Sequence, residues 1–405
     1  MHPQVKPALR RGWRDLNTVQ FGMTPAHALT LGPMDTATGS FLDLLNGTRG
    51  VPLLREEGRR MDLPDGHVDL LVRRLARAGL LDDARGGGPA ADALREKKDV
   101  LDRLRPDLAS LSLVSSEPGG AIGRLAARRR LRVQVRGAGR VGALLASVLS
   151  GAGVGEVDVR DVGRVEPWDV APGGLPAGSV GERRDEAARR AVRAAAPERP
   201  PRGAGHGSGR HDGDPGFSLV VLAPRDDVVV HTPDPFAADP LMESGTPHLY
   251  AGVVEGTGIV GPLVLPGGTS CAGCLHQDRT DRDPAWPRLV AQWRSGRSRT
   301  VAPCDMALAT TVAGLAAAHA LAFLDGESPS TAGARWEVSL PHLNWHARPV
   351  WPHPACSCGA AEKAKGEHSS TDAEPHETMA VQRPSTERPR TADAARPAGT
   401  WRAHV

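Results

Sequence analysis

The stretch Val133-Gln134-Val135-Arg136-Gly137-Ala138-Gly139-Arg140-Val141-Gly142 decides how this chain is read. Its apolar start predicts a strand, its G-x-G-x-x-G core a tight turn, and the small apolar run Ala143–Gly151 a helix. In that strand–turn–helix context each glycine has a physical task. Gly137 permits the turn, Gly139 lets a phosphate approach the backbone, and Gly142 lets helix and strand pack closely. The first helical turn offers unpaired N–H groups to an anion. Asp161, nineteen residues beyond Gly142 and just past the next expected strand, is the acid placed to hold ribose hydroxyls. Gly137, Gly139, Gly142 and Asp161 are therefore the candidate nucleotide-binding residues. Glycines that serve only the fold would look the same.

Around this motif, strands expected at Leu131–Val135, Glu156–Arg160, Ser218–Leu222 and His248–Gly252 alternate with helical stretches, the pattern of a parallel sheet. Residues 198–215 interrupt the pattern with Pro, Gly, His and Arg in no apolar period, and are expected to be disordered. Ahead of the sheet, residues 15–84 read as a small α+β module. It has strands at Val19–Gly22 and Ala28–Leu31, helices at Thr38–Leu45 and Val68–Ala78, and a closing strand at Leu80-Leu81, the outline of a winged helix. Residues 85–109 form a linker and a polar helical segment. The α/β domain is expected over 110–359, and residues 360–405 carry too few apolar side chains to bury a core.

Composition narrows the function classes. Gly (47) and Pro (35) make up about a fifth of the 405 residues, and only fourteen residues are aromatic. A packed core over part of the chain, built from Ala, Val and Leu, fits those numbers. The net charge is +3 with both signs interspersed, and the one dense basic run, Arg128-Arg129-Arg130 with Arg132, flanks a strand. A basic face suited to nucleic acid is missing from this pattern. Residues 1–14 have no apolar core and do not read as a secretory signal. Met306–Leu324 runs nineteen residues without a formal charge, but is Ala- and Thr-rich and contains His319. It reads as a buried helix of the α/β domain rather than a membrane span, and the expected location is cytoplasmic.

Five cysteines remain. Cys271-Ala272-Gly273-Cys274 and Cys356-Ser357-Cys358 form two close pairs, and in a cytosolic protein such pairs point to a metal before a disulfide. Four thiolates make a closed tetrahedral zinc site, which is structural because no coordination position stays open. Two independent thiol pairs, or a redox role for the first pair, are the alternatives, and His276 and His353 stand near enough to substitute as ligands. The fifth, Cys304, follows Pro303 and is expected to open the apolar helix, where a helix N-terminus would favour its thiolate and suit it as an acyl acceptor.

Taken together, the glycine loop, Asp161, the Val157-Asp158-Val159-Arg160-Asp161 strand and the two cysteine pairs resemble the ThiF/MoeB family of ubiquitin-activating-type adenylyltransferases over roughly residues 110–360. Residues Phe41–Arg49 and Leu75–Asp82 resemble the PqqD-like winged helix that recognises leader peptides. The combined layout looks like the ThiF-like leader-binding proteins of azole- and azoline-forming peptide clusters, a subgroup that Gly261–Gly267 and His353-Pro354 also fit. The resemblance implies an α/β, Rossmann-like parallel sheet with a zinc clamp, preceded by the winged helix. It further implies a precursor leader peptide and a YcaO-type cyclodehydratase as partners, and a homodimer.

This chain departs from the family where ATP would be handled. Arg140 replaces a glycine of the loop. Asp169 stands for an asparagine, and Pro172 for the arginine that acts on phosphates. Arg184 aligns with the phosphate-gripping lysine, and Asp226 matches the magnesium-binding acid only after a one-residue slip. ATP transfer needs a metal and cations against the triphosphate. The first functional reading is therefore a leader-binding protein that recruits a cyclodehydratase and carries a degraded ATP/Mg2+ site. The second is an active adenylyltransferase acting on a peptide or carrier carboxylate, with Cys304, Arg184 and Asp226 as candidate catalytic residues.

Overall fold

The computed structural model describes residues 1–198, 216–296 and 301–363. The insertion expected at 198–215 lies outside them apart from Glu198, as does the expected tail beyond Lys363; Ala360–Lys363, its first residues, form a short helical turn.

Two strands, β1 (Pro3–Val5) and β2 (Arg11–Trp13), precede the start expected at residue 15. β2 pairs antiparallel with β3 (Val19–Phe21), and β3 with β4 (Leu29–Leu31), which leaves β4 at the edge of a three-stranded sheet. The helices Thr36–Phe41, Val51–Arg60 and His67–Arg77 follow, and β5 (Leu81–Asp83) returns to pair with β1. Asp35 starts the first helix by accepting from the Thr38 N–H. In the third, Val68, Leu71, Val72 and Leu75 recur at helical spacing, so one face is buried against Phe41, Leu54 and Leu63 while Arg73, Arg74 and Arg77 stay exposed. Four further helices, Gly88–Glu96, Lys98–Arg103, Arg105–Val114 and Gly120–Arg128, form a separate apolar cluster before the large sheet.

That sheet has seven strands. They are β6 (Arg132–Arg136), β7 (Glu156–Arg160), β8 (Leu219–Leu222), β9 (His248–Val254), β10 (Thr257–Val264), β11 (Ala334–Ser339) and β12 (Trp345–Pro349), in the order β12-β11-β10-β9-β8-β6-β7. β7, β6, β8 and β9 run parallel; β10, β11 and β12 continue antiparallel. The fold is thus α/β with a mixed sheet. The chain leaves β6 for β7 on one side and for β8 on the other. This reversal opens a crevice at the carboxyl ends of β6 and β8, the place where open α/β sheets take ligands.

The helices Arg140–Gly151, Arg184–Ala195 and Met306–Leu324 cover one face. Met306–Leu324 alone among the described helices is long and apolar enough to cross a bilayer. Its Leu308, Ala309, Val312, Ala313, Ala316, Ala317 and Ala320 are buried against the Arg140–Gly151 helix, β9 and β10, as a core helix requires. Arg128 closes this layer with a two-pronged ion pair to Asp325 just past the helix, both side chains 5% exposed.

Candidate functional site

The glycine loop has the turn its sequence demands. Gly137 adopts φ 107°, and a Cβ there would lie 2.0 Å from the Ala223 carbonyl oxygen. A Cβ on Gly142 would lie 2.0 Å from the Gly137 oxygen, so this glycine is what lets the helix start so close to the strand. Gly139 differs. The space before it is taken by the Arg225 side chain, whose Cγ would be 2.8 Å from an added Cβ.

Arg225 belongs to an ion network that runs beneath the loop. Its Nε donates to Asp169 at 2.8 Å and its Nη2 to Glu166. Asp169 also accepts from Arg184 Nε at 3.1 Å. Arg184 is only 5% exposed and spends its remaining N–H groups on Asp161 (2.8 Å) and on the carbonyls of Val162 and Arg164. Asp161 in turn accepts from the backbone N–H groups of Ala138 and Val162. The acid expected to hold ribose and the cation expected to hold phosphate are thus brought together, but they hold each other. A guanidinium making four hydrogen bonds and a carboxylate accepting three hold this cluster together.

The other expected catalytic residues are similarly engaged. Asp226 accepts from the Val228 and Val229 N–H groups as the cap of the short helix Asp227–His231, the ordinary task of an acid at that position. Arg140, at the loop, donates from Nη1 to the Cys304 carbonyl at 2.8 Å. Cys304 does not open the long helix: Asp305 caps it, accepting from the Leu308 N–H, and the helix runs from Met306. Cys304 is packed against the core, and burial pushes its thiol up. The residues present therefore do not fit a magnesium–ATP complex as they stand.

Arg140, Glu166, Asp169, Arg225, Asp226 and Cys304 line one end of a cleft of about 1370 Å³, which extends under the helix Trp286–Ser295 to β11 and β12. Residues on one face of β11, Arg335, Glu337 and Ser339, line its far end, together with Arg348 of β12. Neither strand stands out in the sequence as part of a site. Burial, then the nearby Arg279 and Arg335, push the His231 imidazole down to about 4.

The cysteines form a second centre. Cys274 lies in the first turn of the helix Ala272–Arg282 with Cys271 just ahead of it, and Cys356 and Cys358 reach it after β12. The sulfur pairs Cys271–Cys274, Cys271–Cys356 and Cys274–Cys358 stand at 3.9, 3.5 and 3.5 Å, and all four sulfurs lie within 4.8 Å of one another. A tetrahedral ion with bonds of about 2.3 Å would set its sulfurs about 3.8 Å apart. The set therefore fits one metal ion. His353 turns instead to Asp281 at 3.0 Å and accepts the Ala355 N–H, and His276 lies outside the cluster.

Residues 116–360 match the ThiF family. No curated protein matches the chain in sequence. Solved structures share the fold, among them the following three. Escherichia coli MccB with ATP is 14% identical with a TM-score of 0.63, over 88% of this chain and 99% of that one. The Microcin C7 biosynthetic enzyme MccB in complex with N-formylated MccA is 14% identical with a TM-score of 0.61, over 89% and 100%. PaaA is 16% identical with a TM-score of 0.61, over 86% and 100%.

Proposed function

The chain belongs to the ThiF family, and from that premise we propose that it binds the leader of a precursor peptide and brings it to a partner enzyme, its own nucleotide site being given over to internal ion pairs. The observation that carries this reading is the engagement of Arg184 with Asp161 and Asp169, and of Arg225 with Asp169 and Glu166, beneath the glycine loop. A triphosphate would have to compete with the carboxylates that already hold Arg184 and Arg225 before either cation could meet it.

The leader would join β4 as an added strand, with backbone hydrogen bonds giving affinity and side-chain pockets giving specificity. Support comes from β4 being an edge strand with Leu29 exposed, and from exposed Trp13, Leu16 and Met23 on the adjoining strands and turns. Exposed apolar groups beside a free strand edge mark a site of association. MccB, solved with N-formylated MccA, is a fold relative that engages a partner of its own. The resemblance to leader-binding proteins implies a YcaO-type cyclodehydratase as the partner enzyme, and a homodimer. Cys271, Cys274, Cys356 and Cys358 would hold Zn2+ as a structural clamp that ties the chain after β12 to the Ala272–Arg282 helix.

Calorimetry with the leader encoded by a neighbouring precursor gene tests the proposal. Binding that Leu29→Asp abolishes is expected. Failure to bind at micromolar concentrations, with magnesium-dependent ATP–pyrophosphate exchange present, would favour an active adenylyltransferase instead.

A further inference from the structure

The far end of the cleft holds an excess of buried positive charge. Arg335, on β11, is 2% exposed, yet only its Nη1 makes a hydrogen bond, to the His231 carbonyl at 3.1 Å. Its Nη2 has no hydrogen-bond partner among the described residues. Its Nε faces Glu337 at 3.1 Å as an ion pair without hydrogen-bond alignment. Glu337 is shared, because its other oxygen takes the Nε of Arg348, which stands directly across the ladder from Arg335. Arg279 crowds the same place. It donates to the same His231 carbonyl, lies over the Trp286 ring at 4.7 Å, and repels Arg335 electrostatically.

Two of these arginines cap the end of the short helix Asp227–His231, and Arg294 does the same at the Thr232 carbonyl. Capping accounts for one N–H of each. It leaves the charge of Arg335 unmatched, since the one carboxylate paired with it, Glu337, also serves Arg348. Glu255 lines the cleft too, at the turn between β9 and β10, and it acts on His231. Arg279 has Asp278 beside it as well as Glu337, so the buried cation left short of a partner among the described residues is Arg335. Buried charges in folded proteins are paired and hydrogen-bonded, so a guanidinium with an unused planar edge beside a cleft is matched to an anion from outside.

We propose that Arg335 and Arg348, flanking Glu337, form a carboxylate subsite for an acidic group of the molecule bound in the cleft. The exposed Arg348 side chain moves off Glu337, and the entering carboxylate takes the free edge of Arg335 and the released Arg348 together. The subsite lies away from the glycine loop. It rests on the proposed function only in that a peptide is the source of the acidic group; the charge imbalance stands without it.

The test uses the full chain and succinate as probe, with succinamide as the uncharged control. Binding is followed by tryptophan fluorescence, since Trp286 and Trp293 pack edge-on against His231. A saturable response to succinate and none to succinamide is expected. Arg348→Gln, at an exposed position, should weaken binding about tenfold, the worth of one charge-assisted hydrogen bond. Arg335→Gln should abolish it, with circular dichroism reporting whether that variant folds. An equal response to succinamide, or unchanged binding in Arg348→Gln, overturns the proposal. Inorganic phosphate displacing succinate at equal concentration overturns its assignment to a carboxylate. Peptides ending in a free or an amidated carboxyl then tell a terminal from a side-chain acid. Leader binding measured in the same Arg348→Gln variant should not change, so loss of the subsite and loss of the leader site are read separately.

Discussion

The cysteine cluster and the ion network beneath the glycine loop are both sets of converging polar side chains, and they are opposites in what they leave unsatisfied. In the first, four sulfurs stand within 4.8 Å of one another and have only weak thiol contacts to offer each other. As thiolates they repel, and a cation is what makes the arrangement favourable. In the second, Glu166, Asp161 and Asp169 meet Arg184 and Arg225, and opposite charges satisfy one another. The first asks for a ligand, whereas the second has supplied its own. A binding site is distinguished by what its groups still lack.

The largest effect that would break this contrast is at the cysteines. Cys271→Ser and Cys356→Ser are each expected to lose the metal, measured by elemental analysis. A structural zinc site contributes on the order of 10 kcal/mol to folding, so the thermal midpoint should fall by more than about 10 °C. Full metal content in both variants would end the zinc assignment.

Next in size is Arg184→Ala. It strips the cation from between two buried carboxylates, Asp161 and Asp169, whose side chains are 8% and 3% exposed. The expected loss is about 3–5 kcal/mol in denaturant unfolding. A loss below about 1 kcal/mol would mean that the network is loose and open to a nucleotide.

The cleft also carries a pH signature. His231 is held near 4 in the folded chain, against about 6.5 when unfolded. Between those values the unfolded chain takes up a proton that the folded one refuses. Stability therefore falls as the pH drops from 6.5 to 4, by on the order of 2 kcal/mol from this residue. His231→Gln should flatten that part of the profile; an unchanged slope contradicts the burial argument.

The smallest effect sharpens the contrast most. Arg225→Ala removes the side chain that stands before Gly139 while leaving Arg184 and its buried partners in place. ATP binding by calorimetry is expected to tighten about tenfold, or roughly 1.4 kcal/mol. Unchanged affinity would show that Arg225 does not close the loop.

Much of this was legible from residue types alone. The parallel strands follow from short apolar runs, and β7 and β8 fall within a residue of their expected bounds. The cysteine pairs converge because thiols at short spacing have few other uses. β10 escaped notice because Gly261-Pro262 breaks its apolar run. The strand accommodates the pair through a register shift between Val260 and Leu263. β1 and β2 lie in a stretch too polar to suggest strands, and β1 is defined by pairing with β5, about 78 residues away. At the site, spacing pointed to Asp161 and the family resemblance to Arg184 and Asp226, but neither could tell which partners they choose. Asp169, read only as a departure from a pattern, and Arg225, which carried no sequence signal, are the residues that complete the network. Arg335 gave no signal at all, because a single arginine in a strand becomes informative only when its burial and unused N–H groups are seen.

The proposal stands on this ThiF-family chain keeping the glycine-loop turn while Asp161, Arg184, Asp169 and Arg225 are engaged in internal ion pairs beneath it. ATP–pyrophosphate exchange in the presence of magnesium and the cognate precursor peptide tests it most directly. The account predicts no exchange above background while the leader binds; magnesium-dependent exchange that Asp161→Ala abolishes would contradict it.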